Sequence, residues 1–376
     1  MQDTNLIDIL QLINTDGIGP VTFYNYVKKA GNIKNALELA AQKRALFSRQ
    51  MAEIELEKAA QIGVKIIAYT DKNYPHNLLE LNDAPPIIYA LGRIDLLNYP
   101  LSVSIVGARN ASIGGRKMAS HIAYDLTEAD VLTVSGMARG IDGAAHKGAL
   151  YAKGQTGATV AVLGTGVDVP YPTENTELYN NIRDNGLLIS ELPLGTSAQI
   201  SNFPRRNRII AALTEGTLIV EANINSGSLI TAKLALEQGK EIFAVPGSPM
   251  ESRSAGPNKL IKDGALLTEN ADDILNVLSM RQNRGIKEPK TLLHPLDKPK
   301  NQVNISAHKE VSIPMSEMPT ENIRLIDMIS YEGVDIDELL RTCGLSQAEF
   351  FAQILDLEFS GRIERHAGNK VAKIKG

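Results

Sequence analysis

The chain has 376 residues, with 39 lysines and arginines against 43 aspartates and glutamates, a formal net charge of −4 and 43% hydrophobic residues. That length suggests two to three domains with real cores, and the acidic balance excludes a polybasic nucleic-acid tail. No apolar run approaches the roughly 18 residues of a membrane span, and a single cysteine, Cys343, excludes an intramolecular disulfide or a cysteine-based zinc cluster.

Taken in chain order, the N-terminus enters an amphipathic pattern at once (Leu6, Ile7, Ile9, Leu10, Leu12, Ile13), with no basic leader. A cytoplasmic protein with no membrane attachment is expected. Residues 1–65 read as a domain of short helices, with TDGIGP (15–20) as a tight turn between two of them. Such a Gly-x-Gly-Pro turn is similar to a helix-hairpin-helix element, whose backbone N–H groups can hold a phosphate, and is equally common as plain punctuation.

From Leu101 onward, short apolar runs alternate with helical stretches: 101–106, 131–135, 158–163, 187–191, 216–221 and 241–246. Near-continuous apolar strands separated by helices predict a mostly parallel sheet covered on both faces, an α/β Rossmann-like doubly wound domain over 66–280. Residues 281–318 lose periodicity and gain Pro289, Pro295, Pro299 and Pro314, the pattern of a linker. After it, 321–329, 335–343 and 346–361 read as helices, and 362–374 as a hairpin turning at Ala367-Gly368-Asn369, which together predict a C-terminal winged helix over 319–376.

In doubly wound sheets ligands sit beyond the carboxyl ends of the strands. The first run leads into GARNASIGGR (107–116), where Gly107 permits a sharp turn and Arg109 supplies a cation. Neither a Gly-x-Gly-x-x-Gly fingerprint nor a Walker lysine is present, so no cofactor is expected. The second run leads into SGMARGIDGAAHKGAL (135–150), in which Ser135, Gly136 and Gly140 offer N–H donors, Arg139 a second cation, and Asp142 an N-cap for a helix over 143–151. Asp142 and His146 stand at i and i+4, but two ligands without a third make no metal site.

NFPRRNRII (202–210) places Arg205, Arg206 and Arg208 at the start of a helix expected from about Arg205, with Phe203 as a flat face beside them. Cations at a helix N-terminus oppose the helix dipole. The arrangement suits a site where a strong anion binds, or an ion-pair network with Glu191, Glu215 or Glu221. EANINSGSLITA (221–232) sets Asn225, Ser226, Gly227 and Ser228 at a further helix start, whereas 244–265 reads as structural. Donors and cations converge without a reactive group, which favours binding over catalysis.

In this order and spacing, VGARNAS, SGMARGIDGAAHKGAL, NFPRRNRIIAAL, VEANINSGSLITA and IFAVPG, with the flanking YPHNLLELNDAPPIIYALG (74–92), resemble the DNA-processing protein A (DprA/Smf) family. The resemblance implies a single-stranded DNA binder that protects incoming DNA, loads the RecA recombinase during natural transformation and dimerises through its Rossmann-like domain. It puts DNA contacts at Arg109, Ser135, Gly136, Arg139, Gly140, Phe203, Arg205, Asn207 and Arg208, and Arg206 shares the arginine cluster. Ile200 and Ser201 stand where family members often carry a basic residue before the phenylalanine. The alternative is a Rossmann-like nucleotide hydrolase resembling the phosphoribohydrolases, but Gly216-Thr217 and Glu221 lack the Pro-Gly-Gly that precedes them in that loop.

Overall fold

A computed structural model describes residues 2–152 and 158–283, together with 326, 329, 334–336, 339–340, 350, 353–354, 357, 363–366 and 370–373. It divides into two compact units, 1–300 and 301–376.

The first unit begins with four helices, α1 (Gln2–Ile13), α2 (Pro20–Ala30), α3 (Ile33–Ala41) and α4 (Arg49–Gln61). Local chemistry sets their starts: Asn32 caps α3 by accepting from the Asn35 N–H at 2.9 Å, and Ser48 caps α4 by accepting from Met51 N–H at 3.0 Å. Pro20 opens α2, where its missing N–H costs nothing.

Nine strands follow: β1 (Lys65–Ala68), β2 (Ile87–Gly92), β3 (Ser102–Val106), β4 (Leu132–Ser135), β5 (Thr159–Val162), β6 (Leu187–Ser190), β7 (Gly216–Ile219), β8 (Glu241–Ala244) and β9 (Leu266–Leu267), in the sheet order β1-β2-β6-β5-β4-β3-β7-β8-β9. From β6 to β9 all neighbours are parallel, while β2 pairs antiparallel with both β6 and β1. All six apolar runs are strands of the parallel part. The interleaved helices are α5 (Ile113–Glu128), α6 (Ile141–Tyr151), α7 (Thr176–Asn185), α8 (Asn202–Ala212), α9 (Gly227–Glu237), α10 (Ala255–Lys262) and α11 (Ala271–Asn283).

Alternate strand residues feed opposite layers, as the two-residue period requires. Leu218 packs with Val103, Ile105 and the α5 and α11 residues Ile122 and Ile274, whereas its neighbour Ile219 joins Val134, Val160 and the α8 residue Ile209. The second layer also takes in Ile9, Phe23 and Ala36 of the N-terminal helices, each large apolar side chain contributing about 1.5–3 kcal/mol by leaving water. A hydrogen bond from the Tyr89 hydroxyl of β2 to Glu55 of α4 adds a polar tie.

The chain winds outward from β3 through β4, β5 and β6, then α8 carries it back so that β7 pairs on the other side of β3. The carboxyl ends of β3 and β7 therefore diverge at a topological switch point, where such folds bind ligands.

In the second unit, β10 (Val334–Asp335), β11 (Ile363–His366) and β12 (Lys370–Lys373) form a sheet in the order β10-β12-β11. β11 and β12 are antiparallel with His366 opposite Lys370, so the expected hairpin is present on either side of its turn. Ile326, Ile329, Ile336, Leu339, Phe350 and Ile354 build its core. Cys343, the hairpin turn at 367–369 and most of the expected linker lie outside the described residues.

Candidate nucleic-acid interface

The first turns after β3, β4 and β5 meet the start of α8 around a shallow cavity of about 40 Å³, lined by Arg109, Gly136, Arg139, Tyr171, Phe203 and Arg206 among others. The turns are shaped by close backbone approach. Gly140 has φ +78°, and a Cβ there would lie 2.2 Å from the Ala108 carbonyl oxygen, so only glycine brings the β4 turn against the β3 turn. Met137, buried in that same turn, also takes a left-handed conformation at φ 63°. Asn175 steadies it by donating to the Met137 carbonyl at 3.0 Å. Non-glycine strain of this kind gathers at binding sites.

Two helix starts differ from the sequence expectation. α6 begins at Ile141, so Asp142 lies inside the first turn, where its carboxylate accepts from Gly136 N–H at 3.2 Å; the cap position is Gly140. α8 begins at Asn202 rather than near Arg205, because Pro204 is tolerated within the first turn, where N–H groups have no intrahelical partner.

The arginines therefore divide by helix face. Arg109 and Arg205 are exposed, and no ion pair holds either among the described residues. Arg109 stands over the Phe203 ring, 5.5 Å from its centroid. Arg139 is exposed too and pairs with Glu174 at 3.3 Å, a solvated interaction of small energy.

Arg206 is 5% exposed, and its Nη1 donates to the Gly136 carbonyl at 2.7 Å and to the Val162 carbonyl. It stitches the ends of β4 and β5 together rather than projecting outward. Arg208 does not reach the cavity: it is buried, with Nη2 on Glu191 at 2.5 Å and Nε on Asp83 at 2.9 Å. The ion-pair alternative thus describes Arg208, with Glu191 as its expected partner and Asp83 as an added one. Ser135 is fully buried and donates its hydroxyl to Ile105 O at 2.6 Å. Asn207 donates to Gly227 O at 3.4 Å, joining α8 to the start of α9.

Beneath the turn lies a buried polar cluster. Burial pushes the Asp142 carboxyl up, and the Arg206 guanidinium and nearby backbone N–H groups draw it back. Burial lowers Arg206 to about 10, against the pull of Asp142, so it stays cationic at neutral pH. His146, fully buried, is pushed down to about 3, first by burial and then by Arg206. Thr159 spends its hydroxyl proton on Thr133 O at 2.7 Å, so His146 Nδ1, 2.9 Å away, is the donor of that pair and Nε2 carries no proton.

A neutral buried histidine makes stability depend on pH with a fixed sign. The unfolded chain takes up a proton near pH 6.5 and the folded chain only near 3, so stability is complete above 6.5 and declines as pH falls. The expected loss is about 1.4 kcal/mol per pH unit below 6.5, roughly 2 kcal/mol by pH 5. Urea unfolding at pH 7.5, 6 and 5 should show this slope in the wild type and a flatter one in His146→Gln; equal slopes would refute it.

At the switch point itself, Glu221, just after β7, accepts from Ser112 N–H at 2.9 Å and from the Ser112 hydroxyl at 2.5 Å. Its carboxylate occupies the N-terminus of α5, the place where a doubly wound nucleotide enzyme holds phosphate. The structure also brings Tyr171 into the site, a residue the motifs do not contain: it stands 5.4 Å from Phe203 with the rings tilted by 31°. Its sequence signal is a tyrosine between Pro170 and Pro172 in the loop that follows β5.

Fold and cavity define a doubly wound α/β protein that presents cations and aromatic rings, rather than a phosphate-binding glycine loop, beyond its strand ends. The family model of DNA recombination-mediator protein A matches residues 65–279, and that of the DprA winged helix domain matches 316–369. The chain belongs to the DprA/Smf family of DNA-processing proteins. It is 33% identical over 381 residues to Protein Smf of Escherichia coli, spanning 99% of this chain and 96% of that one. It is 42% identical over 205 residues to the DNA processing protein DprA of Streptococcus pneumoniae, spanning 54% and 71%. Among solved structures, DprA from Streptococcus pneumoniae superposes with a TM-score of 0.63 at 33% identity, over 72% of this chain and 96% of that one. The Helicobacter pylori protein, described for its single-stranded DNA binding mode, gives 0.52 at 29% identity, over 59% and 98%.

Proposed function

We propose that the protein binds single-stranded DNA without strong sequence preference, protects it, and helps load RecA recombinase onto it during natural transformation or recombination. The observation that carries this is the convergence of exposed Arg109 and Arg139 with the Phe203–Tyr171 ring pair at the strand ends. Cations for the backbone and rings for the bases are what sequence-tolerant single-strand binding requires. The Helicobacter pylori relative's single-stranded DNA binding supports the same substrate here.

In this reading the protein is not an enzyme, works in the cytoplasm and acts as a homodimer whose paired sites raise avidity. Arg109, Arg139 and Arg205 face phosphate, and Gly136 and Gly140 shape the turn that admits the strand. Arg206, Arg208, Ser135 and Asn207 hold that surface from behind. The nucleotide-hydrolase alternative is disfavoured by Glu221, whose carboxylate stands where a nucleotide phosphate would bind.

Fluorescence polarization with labelled single-stranded DNA, duplex DNA and a mononucleotide at several salt concentrations tests the reading. Tight, salt-sensitive binding of the single strand, with duplex and mononucleotide far weaker, is expected. Preference for the mononucleotide would return the protein to the hydrolase class.

A further inference from the structure

The strand-end surface continues onto an outer face of the domain. α5 starts at Ile113, directly after the β3 turn that carries Arg109, and α6 starts at Ile141, directly after the β4 turn that carries Arg139. Both helices follow parallel strands and so run in the same direction, away from the strand ends. They touch backbone to backbone: a Cβ on Gly148 of α6 would sit 2.0 Å from the Ser120 carbonyl oxygen of α5. On α5, Lys117, His121 and Tyr124 stand at i, i+4 and i+7, and on α6 Lys147 and Tyr151 stand at i and i+4, so each set shares one helix face. All five side chains are exposed, and Tyr151 is 84% exposed. A ring that bare contributes little to the core, so burial does not account for it. Tyr124 lies one turn beyond Ser120 and Tyr151 one turn beyond Gly148, which sets the two rings at the same level on either side of the helix contact. No ion pair holds Lys117 or Lys147 among the described residues. The exposed acids Asp125 and Glu128 are confined to the last turn of α5, and the one acid of α6, Asp142, is buried.

We propose that a DNA strand leaving the strand-end site runs along the outer face of α5 and α6, with Lys117 and Lys147 on its phosphates and Tyr124 and Tyr151 against its bases. The inference rests on the single-stranded DNA reading above. Cations that track the backbone, interleaved with rings that accept any base, are the chemistry of sequence-tolerant single-strand binding. A chain of net charge −4 repels a polyanion over most of its surface, so unpaired lysines beside the site decide where the strand can go. Tyr151, the last residue of α6, lies about 15 Å along the helix from its start, so only a strand longer than the strand-end site reaches it.

The test compares strand lengths. The full-length protein is titrated by fluorescence polarization with oligo(dT) of about 6 and of about 20 nucleotides, the short strand filling the strand-end site alone. The Lys117→Gln, Lys147→Gln double variant changes only exposed side chains. It should bind the long strand about 10-fold more weakly or worse and the short strand as the wild type does. Its salt slope should flatten by about 1.4 on the long strand only, 0.7 for each phosphate contact removed. The chain contains no tryptophan, so Tyr151→Trp creates a single reporter, whose emission should be quenched by the long strand and not by the short one. If the double variant loses nothing on the long strand and the reporter stays unquenched at saturation, the helical path is overturned while the DNA reading stands. An equal loss on both strands also overturns it, because the lysines would then act at the strand ends or through the fold. If wild-type protein binds neither strand, the DNA reading itself fails and the path falls with it.

Discussion

Arg206→Met is expected to destabilise the first unit by about 3–5 kcal/mol, because the side chain it removes is a buried cation facing a buried carboxylate. Nη1 donates to the carbonyls of Gly136 and Val162, at the ends of β4 and β5. Methionine fills much of the same space but leaves both carbonyls without their donor and Asp142 without its countercharge. The double variant with Asp142→Asn should be destabilised by less than the sum of the single changes, since the unbalanced charge is gone in both its halves. Gly136→Ala strikes the same cluster by a different route: its Cβ would lie 2.6 Å from Arg206 Nη2 and 2.8 Å from an Asp142 carboxylate oxygen. Urea unfolding of the wild type, Arg206→Met, Asp142→Asn, their double variant and Gly136→Ala checks this, and a loss below about 1 kcal/mol in Arg206→Met would remove Arg206 from the structural cluster.

The parallel sheet is legible in the sequence because its strands are buried on both faces and so appear as uninterrupted apolar runs. β1 and β2 are not, although both are well formed. In β1 the burial runs from exposed Lys65 to buried Ala68, and β2 precedes the stretch where strands and helices begin to alternate. β2 pairs antiparallel onto β6, which lies far along the chain, and β1 joins the sheet only through β2. What the sequence does not mark is direction around α8. Arg205, Arg206 and Arg208 read as one cationic cluster, but each step along a helix turns by about 100°. The three guanidinium groups therefore meet solvent, the sheet, and the Asp83–Glu191 pair respectively. Asp83 precedes β2 and Glu191 follows β6, so nothing local in NFPRRNRII marks Arg208 as their partner. Tyr171 is hidden for a related reason: it is made a neighbour of Phe203 by the crossover of α8, not by proximity in the chain.

This division of the arginines sets opposite expectations for DNA affinity and for stability. Arg109→Ala and Arg205→Ala, which remove exposed cations outside any ion pair among the described residues, should each weaken single-strand binding by about 1–3 kcal/mol with little change in stability. Each should flatten the slope of log K against log salt by about 0.7, the change expected when one fewer phosphate of a single strand is neutralised. Different base sequences should be weakened alike, because backbone contacts carry no sequence information. Arg208→Ala should behave in the reverse manner. Its removal strands Glu191, a carboxyl already pushed up by burial and drawn back chiefly by Arg208, so about 3 kcal/mol of stability should go. The protein that remains folded should keep its salt slope, since the side chain never faced the DNA. Polarization titrations at three salt concentrations, each paired with a thermal melt of the same preparation, separate the two patterns. An unchanged affinity in the Arg109→Ala, Arg205→Ala double variant would dismiss the strand-end surface as the DNA site, and a flattened salt slope in Arg208→Ala would show that α8 turns that arginine outward when DNA binds.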